Sequence, residues 1–232
     1  MTNDVAQLGA LEAGIGYRFR DPSLLETALT HASYSNEKGV PSYERLEFLG
    51  DAVLEIILTE YLYNLYPDMN EGDLTKIRSA LAKEGTLAEL AVQLELGQYL
   101  RIGHGEQESG GDKRSSTLAD LFEAVLGAVY LDAGLDAARN YALPHFQAYI
   151  ADPRILLRSI NPKGSLQEYA QRLHLPPPVY NILNVSGPEH QPSYVVEVTF
   201  NNHSAIGEAA SRKQAESAAA GKLYEFLTSK SV

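Results

Sequence analysis

Acidic side chains recur along a segment that is otherwise strongly apolar. The segment YERLEFLGDAVLEIILTEYLYNLYP has a helical pattern, and four of its acids stand at offsets of 0, 3, 7 and 11 residues. This spacing places them in one stripe along an α-helix. Because apolar residues occupy most of the remaining surface, we expect some of these carboxylates to be partly buried beside one another. The stripe consists of Glu44, Glu47, Asp51 and Glu55.

Carboxylates that share a region of low dielectric raise one another's pKa values and require a counter-charge. Arg45 is the basic residue nearest in the sequence, and the helical rotation of about 100° per residue turns it away from the stripe. One interpretation is a solvated stripe, or a stripe that pairs with lysines on other helices. The alternative is a bound cation.

A second apolar segment, TLADLFEAVLGAVYLDAG, also carries two acids on one helical turn, Asp120 and Glu123. If this helix crosses the first one, these residues join Glu47 and Asp51 in a cluster of oxygen ligands. Such a cluster suits Mg²⁺ or Mn²⁺ rather than Zn²⁺. Paired acids on two apolar helices are difficult to explain as surface, so the repetition favours the bound cation.

Two glycines inside these helices, Gly50 and Gly127, would permit the close helix contact that this cluster requires. A carboxylate-held Mg²⁺ that retains water can activate that water and stabilise charge on a phosphoryl group. The pattern therefore indicates phosphodiester hydrolysis, although it allows a pyrophosphatase or another phosphohydrolase equally well. Glu71, at the predicted start of another helix, is a fifth candidate, but an acid in a first turn more often only stabilises the helix dipole.

The first 150 residues are predicted to form helices joined by short connections, because strand alternation is absent there. Asn70 has the position of a helix N-cap. Thr86 and Glu89 have the spacing of a capping box for the next helix, which Gly97 is predicted to end. This part of the chain is therefore expected to be all-α.

The remaining residues are predicted to form a second, mixed domain, since 232 residues suffice for two modest cores. The change of character after Pro153 predicts a hinge at residues 151 to 160. Apolar residues at helical spacing from Leu166 to Leu173 predict a helix, which a triple proline ends. Three strand candidates and a last helix from Ser211 follow, giving the order helix, three strands, helix. The strand candidates are residues 179–185, 194–200 and 204–209.

The charge of the chain is distributed unevenly. A net charge of −11 would argue against a nucleic-acid partner, because affinity for phosphates comes largely from lysine and arginine. Residues 1–150 carry 11 basic and 23 acidic side chains, whereas residues 151–232 carry 8 and 7. Most of the acidity belongs to the first domain, so the second domain remains a candidate for nucleic-acid binding.

Composition excludes several classes of site. The chain has no cysteine, which excludes disulfides, a thiolate zinc site and a cysteine nucleophile. No apolar run approaches the roughly 18 residues of a membrane span, and the first residues lack the pattern of a secretory signal. We therefore expect a cytoplasmic protein with no membrane partner.

Three features of the second domain could converge on a nucleic acid. They are the pair Gln167 and Glu168 on its first helix, the loop SGPEHQP with His190, and the start of the last helix. A helix N-terminus favours an anion, and basic residues there favour a phosphate site over an ordinary charged first turn, which remains the alternative. The residues at this helix start are Ser211, Arg212 and Lys213.

The order of these motifs resembles that of bacterial ribonuclease III. The stretch ERLEFLGD, residues 44–51, is similar to the signature of that family, and the similarity continues through LAELAVQLELG, the glycine pair at 110–111 and LADLFEAVLGAVYLD. LQEYAQ, GPEH and SRKQAE then follow in the order expected of its double-stranded RNA-binding domain. The resemblance implies an all-α endonuclease domain over residues 1–150, a linker over 151–160 and an α+β (α-β-β-β-α) RNA-binding domain over 161–230.

The resemblance also implies roles for individual residues. Four acids are expected to bind the metal: Glu47, Asp51, Asp120 and Glu123. Among these, Asp51 and Glu123 are implied in catalysis, while Glu44 and Glu71 have accessory roles. The implied cofactor is Mg²⁺, for which Mn²⁺ can substitute. The residues implied in RNA binding are Gln167, Glu168, His190, Ser211, Arg212 and Lys213, together with Lys113 and Arg114 in the loop before the second acidic helix.

The reaction implied by the resemblance is hydrolysis of double-stranded RNA by a homodimer whose subunits each supply one acidic site to a shared valley. The implied products carry 5′ phosphates, 3′ hydroxyls and short 3′ overhangs, and the implied roles are processing of ribosomal RNA precursors and messenger RNA. One departure is that Ala209 and Ala210 stand where the family often has glycine or serine, which leaves the loop geometry open. Two alternatives remain, an RNA-binding protein that does not cut and a phosphohydrolase acting on small molecules.

Overall fold

The chain forms two compact units in the computed structural model, Met1–Ala151 and Asp152–Val232. The residues that the structure describes are 2–150, 157, 160–188 and 191–229. Most of the predicted hinge at residues 151–160 therefore lies outside the described residues.

The first unit is built from α-helices, as predicted. Short 3-10 turns at Leu96–Tyr99 and Gly111–Lys113 interrupt their succession. Across residues 2–150 the only β structure is one isolated bridge between Thr30 and Arg101. The helices are α1 (Thr2–Ile15), α2 (Pro22–Ala28), α3 (Ala32–Lys38), α4 (Glu44–Leu65), α5 (Glu71–Leu81), α6 (Glu84–Gln93), α7 (His104–Glu108) and α8 (Ser115–Ile150).

Helices α4 and α8 cross at two glycines, which confirms the predicted close contact. A Cβ atom on Gly50 would lie 2.6 Å from the carbonyl carbon of Glu123, and one on Gly127 would lie 3.1 Å from the carbonyl carbon of Leu46. Carbon atoms in contact normally lie about 3.5 Å or more apart. Glycine at both positions therefore allows the two backbones to approach more closely than any other residue would.

The core of the first unit forms where α4 and α8 turn their apolar faces inward. Leu54 and Ile57 of α4 are fully buried, as are Phe122 and Leu126 of α8. Helix α8 is interrupted at Gly134, whose φ of 81° lies in the left-handed region that favours glycine. The first part of α8 therefore packs against the first turns of α4, before the interruption at Gly134.

Local signals for helix ends were correct at one site and wrong at another. The Asn70 side chain accepts a hydrogen bond from the Asp73 backbone N–H at 3.0 Å, so Asn70 caps α5 as predicted. The predicted capping box at Thr86 is wrong, because α6 already begins at Glu84 and ends at Gln93, before Gly97. The buried Thr86 hydroxyl donates instead to the carbonyl oxygen of Ala80 at 3.0 Å, so it joins α6 to the preceding helix.

The second unit has the predicted order of one helix, three strands and one helix. The strands form an antiparallel sheet in the order β1-β2-β3, with an irregularity in β1 between Ile182 and Asn184. Val198 and Phe200 of β2 are buried against both helices together with Leu166 and Leu223. The elements are α9 (Pro162–Arg172), β1 (Val179–Ser186), β2 (Ser193–Phe200), β3 (His203–Ala209) and α10 (Arg212–Ser229).

The described helices include none that combines the length and the apolar character needed to cross a membrane.

Candidate metal centre and nucleic-acid interface

Three carboxylates from two helices meet where α4 crosses α8. Glu47 comes from α4, and Asp120 and Glu123 come from one turn of α8. One oxygen atom from each residue lies within 4.8 Å of the other two, and all three side chains are half-buried. Residues 47 and 120 are far apart in the chain, so only the helix crossing brings these oxygens together. These three residues are called the carboxylate cluster below.

The surroundings of the carboxylate cluster disfavour the ionised forms of its own carboxylates. Burial raises the pKa of Glu123 to about 8, and the charges of Asp51, Asp120 and Glu47 contribute to the same shift. Burial also raises the pKa of Glu47, followed by the charge of Asp120. These shifts mean that burial and mutual repulsion disfavour the charged carboxylates, and a bound cation would offset that cost.

No lysine or arginine supplies that cation among the residues the structure describes, since none of their ion pairs reaches the carboxylate cluster. Around Asp120, burial and the charge of Glu84 raise the pKa, while the nearby His31 and Tyr43 side chains lower it. An all-oxygen donor set of this kind fits Mg²⁺ or Mn²⁺. The residues present therefore fit the metal expected from the sequence.

Asp51 lies at the edge of this arrangement. It is not one of the three residues whose oxygens lie within 4.8 Å of one another, and its side chain is exposed. Its charge nevertheless raises the pKa of both Glu123 and Glu47, so it lies close enough to act on the carboxylate cluster. The structure thus brings together three of the four acids predicted to bind metal and leaves Asp51 beside them.

The other acids that the sequence singled out lie outside the carboxylate cluster. Glu44 is exposed, accepts a hydrogen bond from the Ser42 hydroxyl at 2.7 Å and raises the pKa of Glu47. Glu55 forms an ion pair with Arg78 at 2.7 Å, so it is neutralised within the protein. Glu71 is exposed on the first turn of α5 and lines a surface pocket of about 450 Å³.

Sequence reasoning missed three residues that influence the carboxylate cluster: His31, Tyr43 and Glu84. All three influence the pKa of Asp120. Tyr43, the N-cap residue of α4, precedes Glu47 by four residues, a spacing that places both on one side of the helix start, and this signal could have identified it. His31 and Glu84 come from other helix ends, and no local pattern connects them to Asp120.

The second unit presents its predicted contact residues on the two helices. Gln167 and Glu168 are exposed on α9, and Lys213 is exposed on the first turn of α10. The Ser211 hydroxyl accepts from the Gln214 backbone N–H at 3.3 Å, so the helix starts normally despite Ala209 and Ala210. His190 lies outside the described residues.

Arg212 is exposed, but one edge of its guanidinium group is bound to a carboxylate. Its Nε donates to the buried carboxylate of Glu216 at 2.8 Å, and Lys163 donates to the other oxygen of the same carboxylate at 2.5 Å. Hydrogen bonds from Lys163 and Arg212 lower the pKa of Glu216, which therefore remains ionised. This ion-paired carboxylate joins the N-terminal ends of α9 and α10.

The two basic residues predicted before the second acidic helix differ in their surroundings. Lys113 is exposed at the end of a 3-10 turn. Arg114 forms an ion pair with Glu106 and also donates to the Ser109 hydroxyl at 2.9 Å. The structure therefore leaves Lys113 oriented toward solvent, whereas Arg114 is anchored to its own loop.

Comparison with known proteins assigns each of the two units to a family. A family model described as "Ribonuclease-III-like" matches residues 21–149, and the "Double-stranded RNA binding motif" matches residues 162–227. A protein named Ribonuclease 3 from Oleidesulfovibrio alaskensis is 45% identical over 93% of this chain and 95% of its own length. Another, from Pasteurella multocida, is 43% identical over 96% of this chain and 98% of its own.

A solved structure gives the same placement for the first unit. The nuclease domain of ribonuclease III from Campylobacter jejuni, described as having a region involved in dimer formation, is 41% identical, with a TM-score of 0.57. The match covers 60% of this chain and 94% of that domain. With an all-helical unit that carries the carboxylate cluster and a following RNA-binding motif, the chain belongs to the ribonuclease III family.

Proposed function

We propose that this protein is a divalent-metal-dependent endoribonuclease that hydrolyses phosphodiester bonds of double-stranded RNA. The observation that carries the proposal is the carboxylate cluster of Glu47, Asp120 and Glu123, which has no basic partner among the described residues and is joined to a double-stranded RNA-binding motif. Relatives that match nearly the whole chain carry the name Ribonuclease 3, which supports the same activity.

The proposed metal ligands are the carboxylate cluster together with Asp51, and the proposed ion is Mg²⁺, with Mn²⁺ able to substitute. When bound, such an ion supplies a water activated for attack on phosphorus and neutralises charge on the phosphoryl group. Glu123 and Asp51 are the proposed catalytic acids, since Glu123 is the most strongly perturbed carboxyl and Asp51 is an exposed acid beside it. Glu44 and Glu71 take accessory roles on the surrounding surface.

RNA binding is assigned to the second unit. A domain of this kind reads the shape of A-form RNA through 2′-hydroxyl and phosphate contacts, mostly without a sequence code. Most of the proposed contacts on its helices are made by exposed side chains. The acidic first unit would contact RNA phosphates through a bound metal ion. The proposed contacts are Gln167, Glu168, Ser211, Arg212 and Lys213, with His190 from the loop and with Lys113 and Arg114 added by the first unit.

A homodimer is the proposed assembly. Helix α4 exposes large apolar side chains, of which Phe48 is 80% and Tyr63 71% accessible, with Ile56 between them. A second copy of the chain would cover them, and the related Campylobacter jejuni domain has a region involved in dimer formation. The two metal sites of one dimer would cut the RNA into products with 5′ phosphates, 3′ hydroxyls and short 3′ overhangs.

The proposed domains are residues 1–150 for the nuclease and 161–230 for RNA binding, with a linker over 151–160. This division agrees with the matched ranges 21–149 and 162–227. Processing of ribosomal RNA precursors and messenger RNA are the proposed roles, and transcripts of this kind would place the protein in the cytoplasm.

The proposal is tested by incubating the purified protein with a long RNA duplex and with the corresponding single strand, first with Mg²⁺ and then with a chelator. We expect cutting of the duplex with Mg²⁺ and an intact single strand. Chelator is expected to stop cutting while a gel-shift assay still detects the bound duplex. An intact duplex under every condition, with binding preserved, would favour a binding protein that does not cut.

A further inference from the structure

One buried carboxylate in the second unit binds two cationic side chains at the same time. The carboxylate belongs to Glu216 of α10, and a buried glutamate requires partners for its charge. One of its oxygens accepts a hydrogen bond from Arg212 Nε at 2.8 Å, and the other accepts from Lys163 Nζ at 2.5 Å. Two cations and one anion leave this group of three side chains with a net charge of +1.

Lys163 is fixed by a second contact. Its ammonium group lies 4.6 Å from the centroid of the Tyr180 ring, within the range of a cation–π interaction. The side chain nevertheless remains 39% exposed. The ammonium group is therefore held in one place and still reaches solvent.

Arg212 is fixed through one edge of its guanidinium group. The group is planar, so a hydrogen bond from Nε to Glu216 also sets the direction of the two terminal nitrogens. Among the residues that the structure describes, none accepts a hydrogen bond from these two nitrogens, and the side chain is 63% exposed. Two N–H groups of one arginine can bind a phosphate together. Glu216 thus leaves Arg212 with a free, oriented pair of donors.

The positions of these cations do not favour the fold by themselves. Lys163 is in the first turn of α9, and Arg212 is the first residue of α10. The positive end of a helix dipole disfavours a cation and favours an anionic ligand. The two helices also share a buried core through Leu166 and Leu223, so their packing does not depend on the ion pairs alone. An anionic ligand at this surface accounts for the two cations better than helix packing does.

We propose that Glu216 is a positioning residue for RNA binding, because its carboxylate holds Arg212 and Lys163 as a fixed pair of phosphate donors. The inference rests on the RNA binding proposed for the second unit, and it adds Lys163 to the phosphate contacts. A long basic side chain that is fixed before binding loses less conformational entropy when RNA binds. For two such side chains this advantage amounts to about 10-fold in affinity.

The test is the substitution Glu216→Gln, which removes the charge and keeps the shape of the side chain. Binding of a fluorescently labelled RNA duplex is measured by anisotropy in chelator, at several salt concentrations. Loss of an anion beside RNA phosphates would tighten binding if charge alone mattered. The positioning role predicts the opposite sign, an affinity about 10-fold weaker than that of the wild type. Tighter or unchanged binding by the folded variant would overturn the proposal.

The matched control is Glu225→Gln, which removes the same charge from an exposed position on the same helix. Nine residues separate the two positions, or roughly 14 Å along the helix axis, which exceeds the Debye length of about 8–10 Å at ordinary salt. We expect this variant to bind duplex as the wild type does. An equal loss of affinity in both variants would show that the position of the carboxylate does not matter.

A second comparison separates positioning from a general effect on the fold. In a background that carries Arg212→Gln and Lys163→Gln, the change Glu216→Gln should cause no further loss of affinity, since the side chains that it positions are gone. The same loss in both backgrounds would show that Glu216 acts independently of the two cations and would overturn the proposal.

A further variant keeps the proposal testable if Glu216→Gln does not fold. Arg212→Lys retains the charge at an exposed position and removes the planar pair of donors, so it should weaken duplex binding. Wild-type affinity in this variant would show that an oriented guanidinium group is not required. A wild-type protein that binds no duplex would refute the proposed RNA binding itself, and the inference with it.

Discussion

Replacing Gly50 with alanine tests whether the close crossing of α4 and α8 sets the spacing of the carboxylate cluster. The new Cβ atom would stand 2.6 Å from the carbonyl carbon of Glu123, one of the proposed metal ligands. The same Cβ would also overlap the carbonyl oxygen of Glu123, and carbon atoms in contact lie at least about 3.5 Å apart, so the helices would have to separate by roughly 1 Å or more. Overpacking of this kind costs about 1–3 kcal/mol of stability.

A separation of about 1 Å would move Glu47 away from Asp120 and Glu123, which lie on the opposite helix. Misplacement of catalytic groups by this amount can reduce the rate about 100-fold. The assay is the initial rate of cutting of an end-labelled RNA duplex at fixed Mg²⁺, with thermal melting followed by circular dichroism on the same preparation. We expect a folded variant with a lower melting temperature and roughly 100-fold slower cutting, while duplex binding in chelator is unchanged.

The matched control is Gly85→Ala in α6, where no atom beyond the adjacent residues and the local helix backbone lies within 4 Å of the position of the added Cβ. This variant should cut at the wild-type rate and gain about 0.4–1 kcal/mol, because alanine restricts the unfolded chain more than glycine does. If Gly50→Ala fails to fold, Gly127→Ala provides the same test from the other helix with a milder approach. A folded variant at either crossing position that cuts at the wild-type rate would refute the geometric reasoning.

Three further predictions concern the two units separately. In chelator, the wild-type free energy of unfolding should fall by on the order of 1–2 kcal/mol as pH rises from about 4.5 to 8. The reason is that the folded state keeps Glu123 protonated while the unfolded state ionises it. Glu123→Gln should flatten this pH profile, as measured by denaturant titrations. Glu123→Ala should abolish cutting and preserve duplex binding in a gel-shift assay, and full cutting would remove Glu123 from the site. Replacing Arg212 and Lys213 together should weaken duplex binding and reduce the slope of log affinity against log salt by about 2, and an unchanged slope would show that they do not contact phosphate.

Features that depend on local periodicity were predictable from the sequence. The spacing of Asp120 and Glu123 places both acids on one turn of any helix, and the alternation of Val196, Val198 and Phe200 places them on one face of any strand. The order of one helix, three strands and one helix in the second unit was predicted for the same reason. Each of these features follows from geometry within one element.

Other features required the tertiary structure, because they depend on how one helix is rotated against another. The sequence grouped Asp51 with the other three acids, yet the crossing of α4 and α8 brings only Glu47 within 4.8 Å of Asp120 and Glu123. The periodicity of one segment also does not reveal contacts between residues that are distant in the chain. Glu55 is neutralised by Arg78 from the next helix, and Tyr43 influences the pKa of Asp120 from 77 positions earlier in the chain.

The acids that opened the sequence analysis illustrate this division. Their residue types and spacing determined that carboxylates would crowd together in apolar surroundings and need a cation. Which of them share that cation site is decided by the packing of α4 on α8 at Gly50 and Gly127. Close backbone approach is a property of two helices together, so the sequence of either helix alone does not determine it.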